Sequence, residues 1–299
     1  MQKTRIPAPK NQKPKPADTR EVNARRVSQV LRLAWHNGGW TTANIVALAM
    51  FFQTEHRLTY AQRLLASAAA RGWMLARRLP VRSHALAYVL TKDGAGQLAT
   101  ELCNADGWAP EIRPGTTWGE HRKGGDWKPP GRWAHDERAA RFVHLATHTL
   151  KPIGKWTALN ETQVRRLNPD LDERVGKYPD GLLVRNGADG PKVMWIEVEQ
   201  ARKTGDYRRK LLAHLAKLAG GQVPRIRIDH GPFGYAETGK QAFVIFRGVE
   251  EATIFARAAS RWVGDHKIGR LLYQVVTDDL DGMMLRMGPV VDLLQPRNT

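Results

Sequence analysis

Apolar residues recur with helical spacing through the first third of the chain. Residues 21–36 form one such run, which Asn37-Gly38-Gly39 ends. A second helix is predicted in TTANIVALAMFF, which begins with a threonine cap, and a third in LTYAQRLLASAAARGW, which stops at Gly72. Two short strands follow, WMLARRLPV and ALAYVLT, joined by the turn residues RSHA, and KDGAGQLATELC returns to helix.

Three helices followed by a β-hairpin are typical of a winged helix-turn-helix domain. In that fold the third helix enters the major groove of DNA and the hairpin, or wing, contacts the backbone. Polar residues at the start of the third helix suit base edges, and arginines on the hairpin suit phosphates. The alternative is a winged helix used for protein contacts, with solvated arginines. The predicted DNA contacts are Thr59, Tyr60, Gln62, Arg63, Arg77, Arg78 and Arg82.

Residues 104–133 are rich in glycine, proline and tryptophan without any period, which predicts a linker between domains at 21–103 and 134–299. We expect the linker tryptophans to cap the second domain's core; stacking on bases is the alternative. From His135 onward, helical runs alternate with the apolar runs PDGLLV, VMWIEVE, QAFVIF and LLYQVV. This order predicts a mixed α/β domain (α+β over the whole chain) whose sheet is flanked by helices.

Carboxylates stand in two of these apolar strands. Asp180 enters the first strand, and Glu197 and Glu199 share one face of the second, because side chains on a strand alternate in direction. RNGADGPK between the strands predicts a hairpin, which brings Asp180 opposite Glu197. Buried acids need a compensating charge, and either Mg²⁺ (or Mn²⁺) or a salt bridge can supply it. A bound ion there suits hydrolysis of a phosphodiester.

Charge narrows the likely partners. Lysine and arginine number 47 against 29 acids, for a net charge of +18 and a pI near 10.4, which favours a polyanion and above all double-stranded DNA. The basic helix TGDYRRKLLAHLAKL follows the acids, and Arg208 and Arg209 are predicted to contact a DNA backbone there, a solvated face being the alternative. His144 and His148 lie one turn apart on a predicted helix and are expected to pack rather than bind zinc.

The composition also indicates in which cellular compartment the protein is expected. A single cysteine, Cys103, excludes an internal disulfide, and residues 1–20 form a predicted flexible basic arm without the apolar segment of a signal peptide. No run of apolar residues is long enough to span a membrane. A cytoplasmic protein with no membrane partner is expected.

Pro179-Asp180 followed by Glu197-x-Glu199 resembles the P-D…(D/E)-x-K core of restriction-endonuclease-like nucleases. The resemblance implies that Asp180 and Glu197 hold the metal and that an acid on a preceding helix, Glu161 or Glu137, completes the site. Glu199 stands where the family has its lysine, so either Glu199 acts in its place or Lys203 reaches back as a migrated lysine.

Over residues 25–260, the order of a winged helix, His135-Asp136, PDG and a W-I-E-V-E strand is similar to the plasmid replication-relaxation family. This resemblance implies a DNA-binding protein of a mobile element with relaxosome partners and a magnesium-dependent nicking site. A non-catalytic accessory protein or transcription regulator on a degenerate nuclease scaffold is one alternative, and a restriction or repair endonuclease is another. Tyr60, Tyr88 and Tyr178 are each expected to be structural rather than a DNA-attacking nucleophile.

Overall fold

The computed structural model describes residues 19–80, 85–107, 111–121, 127–187, 190–199, 205–219, 225–229, 234–263, 270–278 and 285–293. Residues 1–18 of the predicted basic arm, Arg82 and Lys203 lie outside these residues, whereas Thr19 and Arg20 of the predicted arm belong to a helix. In the described part of the chain, no helix combines the length and the apolar character needed to cross a membrane.

Residues 19–107 form the N-terminal unit, in which the predicted helices and hairpin are present. A strand that the sequence pattern missed, β1, pairs with β3 and completes an antiparallel sheet in the order β1-β3-β2. The elements are α1 (Thr19–His36), β1 (Trp40–Thr42), α2 (Ala43–Phe51), α3 (Arg57–Ala70), β2 (Met74–Arg78), β3 (Leu86–Leu90) and α4 (Lys92–Asp106).

The core of this unit forms where the apolar faces of its helices meet the sheet. Leu31 of α1, Ile45 of α2, Leu65 of α3 and Leu98 of α4 are fully buried in one cluster. Thr42 caps α2 as predicted, because its side-chain oxygen accepts a hydrogen bond of 3.3 Å from the backbone N–H of Ile45.

The segment after α4 packs back onto the N-terminal unit. The Trp118 ring stacks on Trp40 at 4.5 Å, so the prediction that the linker tryptophans cap the second core is wrong for Trp118. Glycine makes this contact possible: a Cβ on Gly39 would lie 2.5 Å from the Gly115 Cα, so only glycine lets the two backbones approach this closely. Two short strands close the segment, β4 (Glu120–His121) and β5 (Trp127–Lys128).

Residues 133–293 form the C-terminal unit, a mixed α/β domain as expected. Its helices are α5 (Trp133–Thr149), α6 (Glu161–Leu167), α7 (Leu171–Val175), α8 (Gly205–Ala219) and α9 (Val249–Val263). Its strands are β6 (Thr157–Asn160), β7 (Gly181–Gly187), β8 (Gly190–Glu199), β9 (Arg225–Arg227), β10 (Tyr235–Phe246), β11 (Arg270–Asp278), β12 (Leu285–Met287) and β13 (Val291–Asp292).

These strands form one mixed sheet in the order β12-β11-β10-β8-β7-β6, with β13 beside β11 and β9 beside β10. β6, β7 and β8 are antiparallel neighbours, and the predicted β7–β8 hairpin is confirmed by its register, in which Gly181 pairs with Ile196. β8, β10 and β11 run parallel, since α8 and α9 return the chain to the same edge.

Helices cover both faces of the sheet centre, so β8 is buried continuously from Val193 to Glu199. Met194 and Ile196 face α5, whereas Val193 and Trp195 face the cluster that includes α7, α8 and α9. The alternation places Glu197 and Glu199 on the same side as Trp195, as predicted.

The two units contact each other along α5, which packs on α2. The Thr42 hydroxyl that caps α2 also donates to Glu137 Oε1 at 3.1 Å, and Glu137 Oε2 accepts from Arg141 Nε at 2.9 Å. His148 Nε2 lies 3.0 Å from the Leu48 carbonyl oxygen, and burial lowers the pKa of His144 to about 4. Both histidines are therefore partly buried at packing positions.

Replacing Thr42 with valine is expected to lower the free energy of unfolding by about 1–2 kcal/mol, because the change removes a helix cap and leaves buried Glu137 short of a donor. Thr41 is the matched control: its hydroxyl is buried without a hydrogen-bond partner among the described residues, so Thr41→Val should be neutral or stabilising. Urea denaturation of both variants measures the difference, and equal losses would contradict the assigned role of Thr42.

Candidate functional site

The three predicted carboxylates are buried at the end of the β7–β8 hairpin. Asp180, Glu197 and Glu199 are 8%, 1% and 6% exposed, respectively. Since Gly181 pairs with Ile196, the register continues with Asp180 opposite Glu197, and Asp180 Oδ2 accepts a hydrogen bond of 2.7 Å from the backbone N–H of Val198. The sequence therefore predicted correctly that Asp180 and Glu197 come together.

A lysine that the sequence analysis did not single out neutralises this cluster. The Lys177 ammonium donates to Glu197 Oε2, while the Trp195 indole N–H donates to Glu197 Oε1. Burial raises the pKa of Glu197, and the Lys177 ammonium opposes that shift. Burial alone would lower the pKa of Lys177, but Glu197 and Asp180 together raise it above its usual value, so the lysine is a permanent cation.

The local chain path explains how Lys177 reaches the acids. α7 ends at Gly176, whose φ of 93° is the left-handed conformation that glycine adopts readily, and the next residue is Lys177. The carbonyl oxygen of Val175, exposed at this helix end, accepts from Lys217 Nζ at 3.2 Å and lies 3.1 Å from His214 Nδ1 of α8. The turn is thus held against α8 with the lysine directed to β8.

His135, at the start of α5, contacts the other carboxylate. Its Nε2 lies 3.3 Å from Asp180 Oδ1, and the hydrogen bond to Asp180 raises the pKa of His135. The adjacent Asp136 has a raised pKa, chiefly because it is buried and further because Glu161 and Asp180 are near. These contacts bring the beginning of α5 and the beginning of β7 to one place.

Glu161 lies beside the site, but its carboxylate is paired with an arginine. The backbone N–H of Glu161 donates to the Asp180 carbonyl oxygen at 3.1 Å, which fixes α6 next to β7. Glu161 Oε1 accepts two hydrogen bonds from Arg165, at 2.8 and 2.5 Å, and the Arg165 guanidinium stacks over Tyr178 at 4.1 Å from the ring centre. Glu137, the alternative acid, is instead held in the contact between the units.

A cleft of about 690 Å³ opens beside Asp180 and Lys177. Tyr207 of α8 borders it, and the pKa of Tyr207 is raised, first by burial and then by the nearby Glu199 carboxylate. The residues that line this cleft are Arg132, His135, Glu161, Arg165, Asp172, Gly176, Lys177, Tyr178, Asp180, Val198 and Tyr207.

The cluster as arranged does not fit a divalent ion. Each carboxylate oxygen of Asp180 and Glu197 already contacts a protein group: His135 and Val198 for Asp180, Trp195 and Lys177 for Glu197. Among the described residues, no three acidic, histidine or cysteine side chains are grouped as metal ligands. A bound Mg²⁺ would have to displace Lys177, and magnesium binding stays a prediction.

The predicted DNA contacts lie on three elements: α3, the β2–β3 hairpin and α8, whose Tyr207 borders the cleft. Thr59, Tyr60, Gln62 and Arg63 are all exposed on α3, whose opposite side buries Ala61, Leu64, Leu65 and Ala68. On the hairpin, Arg78 is exposed and Arg77 is partly exposed. On α8, Arg208 is partly exposed, whereas the exposed Arg209 pairs with Asp206.

Lys177, His135 and Tyr207 are the residues of this site that sequence reasoning did not assign to it. The one available signal was local: a lysine two residues before Pro179-Asp180 and directly after a helix-ending glycine. No motif fixes the number of residues between this lysine and β8, so the sequence does not indicate that Lys177 pairs with Glu197. Tyr207 and Glu199 meet only because α8 packs back over the sheet face that carries Glu199.

Replacing Lys177 with methionine should destabilise the fold by about 3 kcal/mol near neutral pH, because it leaves Glu197 buried without a cation. The pKa of Glu197 would then lie further above its unfolded value, so the folded variant binds a proton more readily than the unfolded chain. Because the pKa of Glu197 in the wild type is already raised to about 8, the deficit relative to the wild type should be larger at about pH 9 than at about pH 7. Urea denaturation at the two pH values measures it.

Adding Glu197→Gln to the Lys177→Met variant supplies the control, since it removes the stranded charge. The double variant should recover stability at about pH 9 and lose most of its pH dependence. A deficit that stays the same at both pH values, or that the second change does not relieve, would contradict the ion-pair assignment.

Comparisons of the chain with protein-family models, with curated proteins and with solved structures gave no match. The functional interpretation therefore rests on the structure alone: the two clefts, the ion pairs and the exposed face of α3.

Proposed function

We propose that the chain is a double-stranded DNA-binding protein whose contacts come from α3 and the β2–β3 hairpin. The observation that carries the proposal is the face of α3. Its buried side anchors the helix in the core, and the exposed side of its first two turns presents the hydrogen-bonding groups of Thr59, Tyr60, Gln62 and Arg63. Hydroxyl, amide and guanidinium groups are those that hydrogen-bond to base edges in the major groove.

The arrangement around α3 supports the same proposal. The order α1-β1-α2-α3-β2-β3, with β1 added to the hairpin, supports a winged-helix assignment, in which the hairpin would lie beside the recognition helix. Arg78 on the hairpin is exposed, in a position suited to a phosphate. The net charge of +18 adds a long-range attraction to any nucleic acid.

For the C-terminal unit, the proposed role is non-catalytic. A basic side chain, Lys177, stands where a metal-dependent site needs its cation, which favours a nuclease-like scaffold that has lost metal binding. Under this proposal the protein is an accessory of plasmid replication or mobilisation, or a transcription regulator, acting in the cytoplasm beside relaxosome proteins.

Magnesium-dependent nicking of DNA is the second candidate function. Three observations favour it: Asp180 and Glu197 are paired across the hairpin, an ammonium group accompanies them, and an open cleft borders them. This candidate requires Lys177 to leave Glu197 when the ion binds.

DNA binding is tested by fluorescence anisotropy on mixed-sequence duplexes selected for tight binding. Arg63→Ala should weaken binding about tenfold or more and relax the sequence preference, because a base contact is lost. Arg78→Ala should weaken binding to all sequences alike and reduce the slope of log K against log salt by about 1. Arg257→Ala, the same charge change on exposed α9, is the control. If all three variants changed the affinity and the sequence preference equally, the proposal that α3 contacts base edges would be contradicted.

Catalysis is tested by incubating supercoiled plasmid with the protein in Mg²⁺ or Mn²⁺. The scaffold proposal expects no nicked product from the wild type or from Asp180→Asn, because Lys177 already satisfies Glu197. Nicking by the wild type that Asp180→Asn abolishes would establish the second candidate in its place. Anisotropy on the same plasmid fragments confirms that each preparation binds DNA.

A further inference from the structure

A cavity of about 230 Å³ lies between the two units and is separate from the ion pair of Lys177. Trp40 and Asn37 of the N-terminal unit form one wall, and α5 and α6 form the other. The cavity meets the larger cleft at Arg132, Glu161, Arg165 and Asp180, which line both. The full lining is Asn37, Trp40, Arg132, Asp136, Ala139, Ala140, Asn160, Glu161, Thr162, Arg165 and Asp180.

One polar group in this wall is left without a partner. Asn37 is 4% exposed, and its Nδ2 makes no hydrogen bond among the described residues. Buried donors of this kind are rare in folded proteins and call for an explanation such as a bound ligand or water.

The orientation of the Asn37 amide follows from its neighbours. Asn160 Oδ1 accepts from the backbone N–H of Gln163 at 3.0 Å, so Asn160 Nδ2 is the donor on its other side. That donor contacts Asn37, which must therefore offer its Oδ1. The remaining group of Asn37 is an NH₂, and any ligand that completes it must present an acceptor.

The other groups of the cavity define the rest of the ligand. Asp136 and Asp180 supply carboxylate acceptors, Trp40 supplies an aromatic side chain, and Ala139 and Ala140 supply an apolar wall. The volume exceeds the ~30 Å³ share of one water molecule and lies below the range of about 300–1,000 Å³ typical of pockets for larger ligands. One planar ring with donors and acceptors along its edge meets these conditions.

Arg132 and Arg165 stand at the boundary between cavity and cleft, where Arg165, although paired with Glu161, keeps guanidinium N–H groups that make no contact with that carboxylate. Both guanidinium side chains are exposed, and Arg132 stands immediately before α5, where the helix dipole also favours negative charge. From these groups together we infer that the cavity binds one nucleobase, with the attached phosphate placed towards Arg132 and Arg165.

Two sources can supply this ligand: a free nucleotide, or a base extruded from DNA. Extrusion costs a few kcal/mol from a paired duplex and least from an unpaired position. The DNA source rests on the duplex binding proposed above, whereas the free-nucleotide source does not. In either case the ligand contacts both units, so its binding strengthens the contact between them.

Calorimetric titration with the deoxynucleoside monophosphates tests the first source. Anisotropy tests the second, comparing a duplex that carries one unpaired base with the same duplex carrying an abasic site. Thr162→Tyr places a large side chain at the exposed rim of the cavity, and Thr253→Tyr, equally exposed on α9, is the matched control. Asn37→Asp keeps the Oδ1 contact to Asn160 but turns the unpartnered donor into an acceptor.

The expected result is binding by one of the two sources that Thr162→Tyr and Asn37→Asp each weaken by about tenfold or more, the usual cost of a blocked or mismatched polar site. Thr253→Tyr should leave that binding unchanged. The inference is overturned if no nucleotide gives a heat of binding and the protein also binds the two duplexes with equal affinity. The cavity would then be a site for water alone. Equal loss in Thr253→Tyr also overturns it. If nucleotides bind while all duplexes fail, the proposed function is wrong and the cavity assignment stands.

Discussion

A strand covered by helices on both faces gives an acidic side chain no route to water, and β8 carries two glutamates in such a position. An uncompensated carboxylate there would cost several kcal/mol, so the fold has to bring a cation or hydrogen-bond donors to it. Lys177 meets this requirement for Glu197, with the Trp195 indole on the second oxygen. The turn at Gly176, between α7 and β7, directs the chain so that the Lys177 ammonium lies beside Glu197.

Asp180 is also a buried carboxylate that needs hydrogen-bond donors or a cation, and one of its partners comes from the helix that joins the two units. Its carboxylate is held by the Val198 backbone and by His135, the third residue of α5. Two residues further along α5, Glu137 accepts a hydrogen bond from Thr42, which caps the helix preceding α3. One helix therefore connects the carboxylate cluster with the unit that carries the proposed DNA contacts. The two hydrogen-bonded contacts, at His135 and at Glu137, lie within one turn of each other on α5.

The sequence predicted those features that depend on local periodicity. The shared face of Glu197 and Glu199 follows from the two-residue repeat of a strand, and the pairing of Asp180 with Glu197 follows from the turn-rich segment between two apolar runs. The partner of Glu197 could not be predicted, because Lys177 approaches from a turn whose direction depends on how α7 packs against α8. For the same reason Trp118 was assigned to the wrong core: its contact with Trp40 depends on the approach of Gly39 to Gly115, which no period signals. β1 has only three residues and pairs with a strand far along the chain, so it left no pattern of its own.

The lysine beside Glu197 bears on what the cleft can bind. A divalent cation held by Asp180 and Glu197 would neutralise both carboxylates and offer open coordination positions to a phosphate oxygen, whereas a single ammonium neutralises only one of the two. Asp180 is then held by the Val198 backbone N–H and by His135, whose pKa is raised by the hydrogen bond to Asp180. With Asp136, Glu161 and Asp172 also lining the two cavities, the floor of the groove is not strongly positive, and its arginines stand at the rim. Such a surface disfavours a bare phosphate backbone at its floor and favours a ligand with hydrogen-bond donors on one side and a phosphate on the other. The excess of basic residues in the chain is therefore not concentrated at the carboxylate cluster.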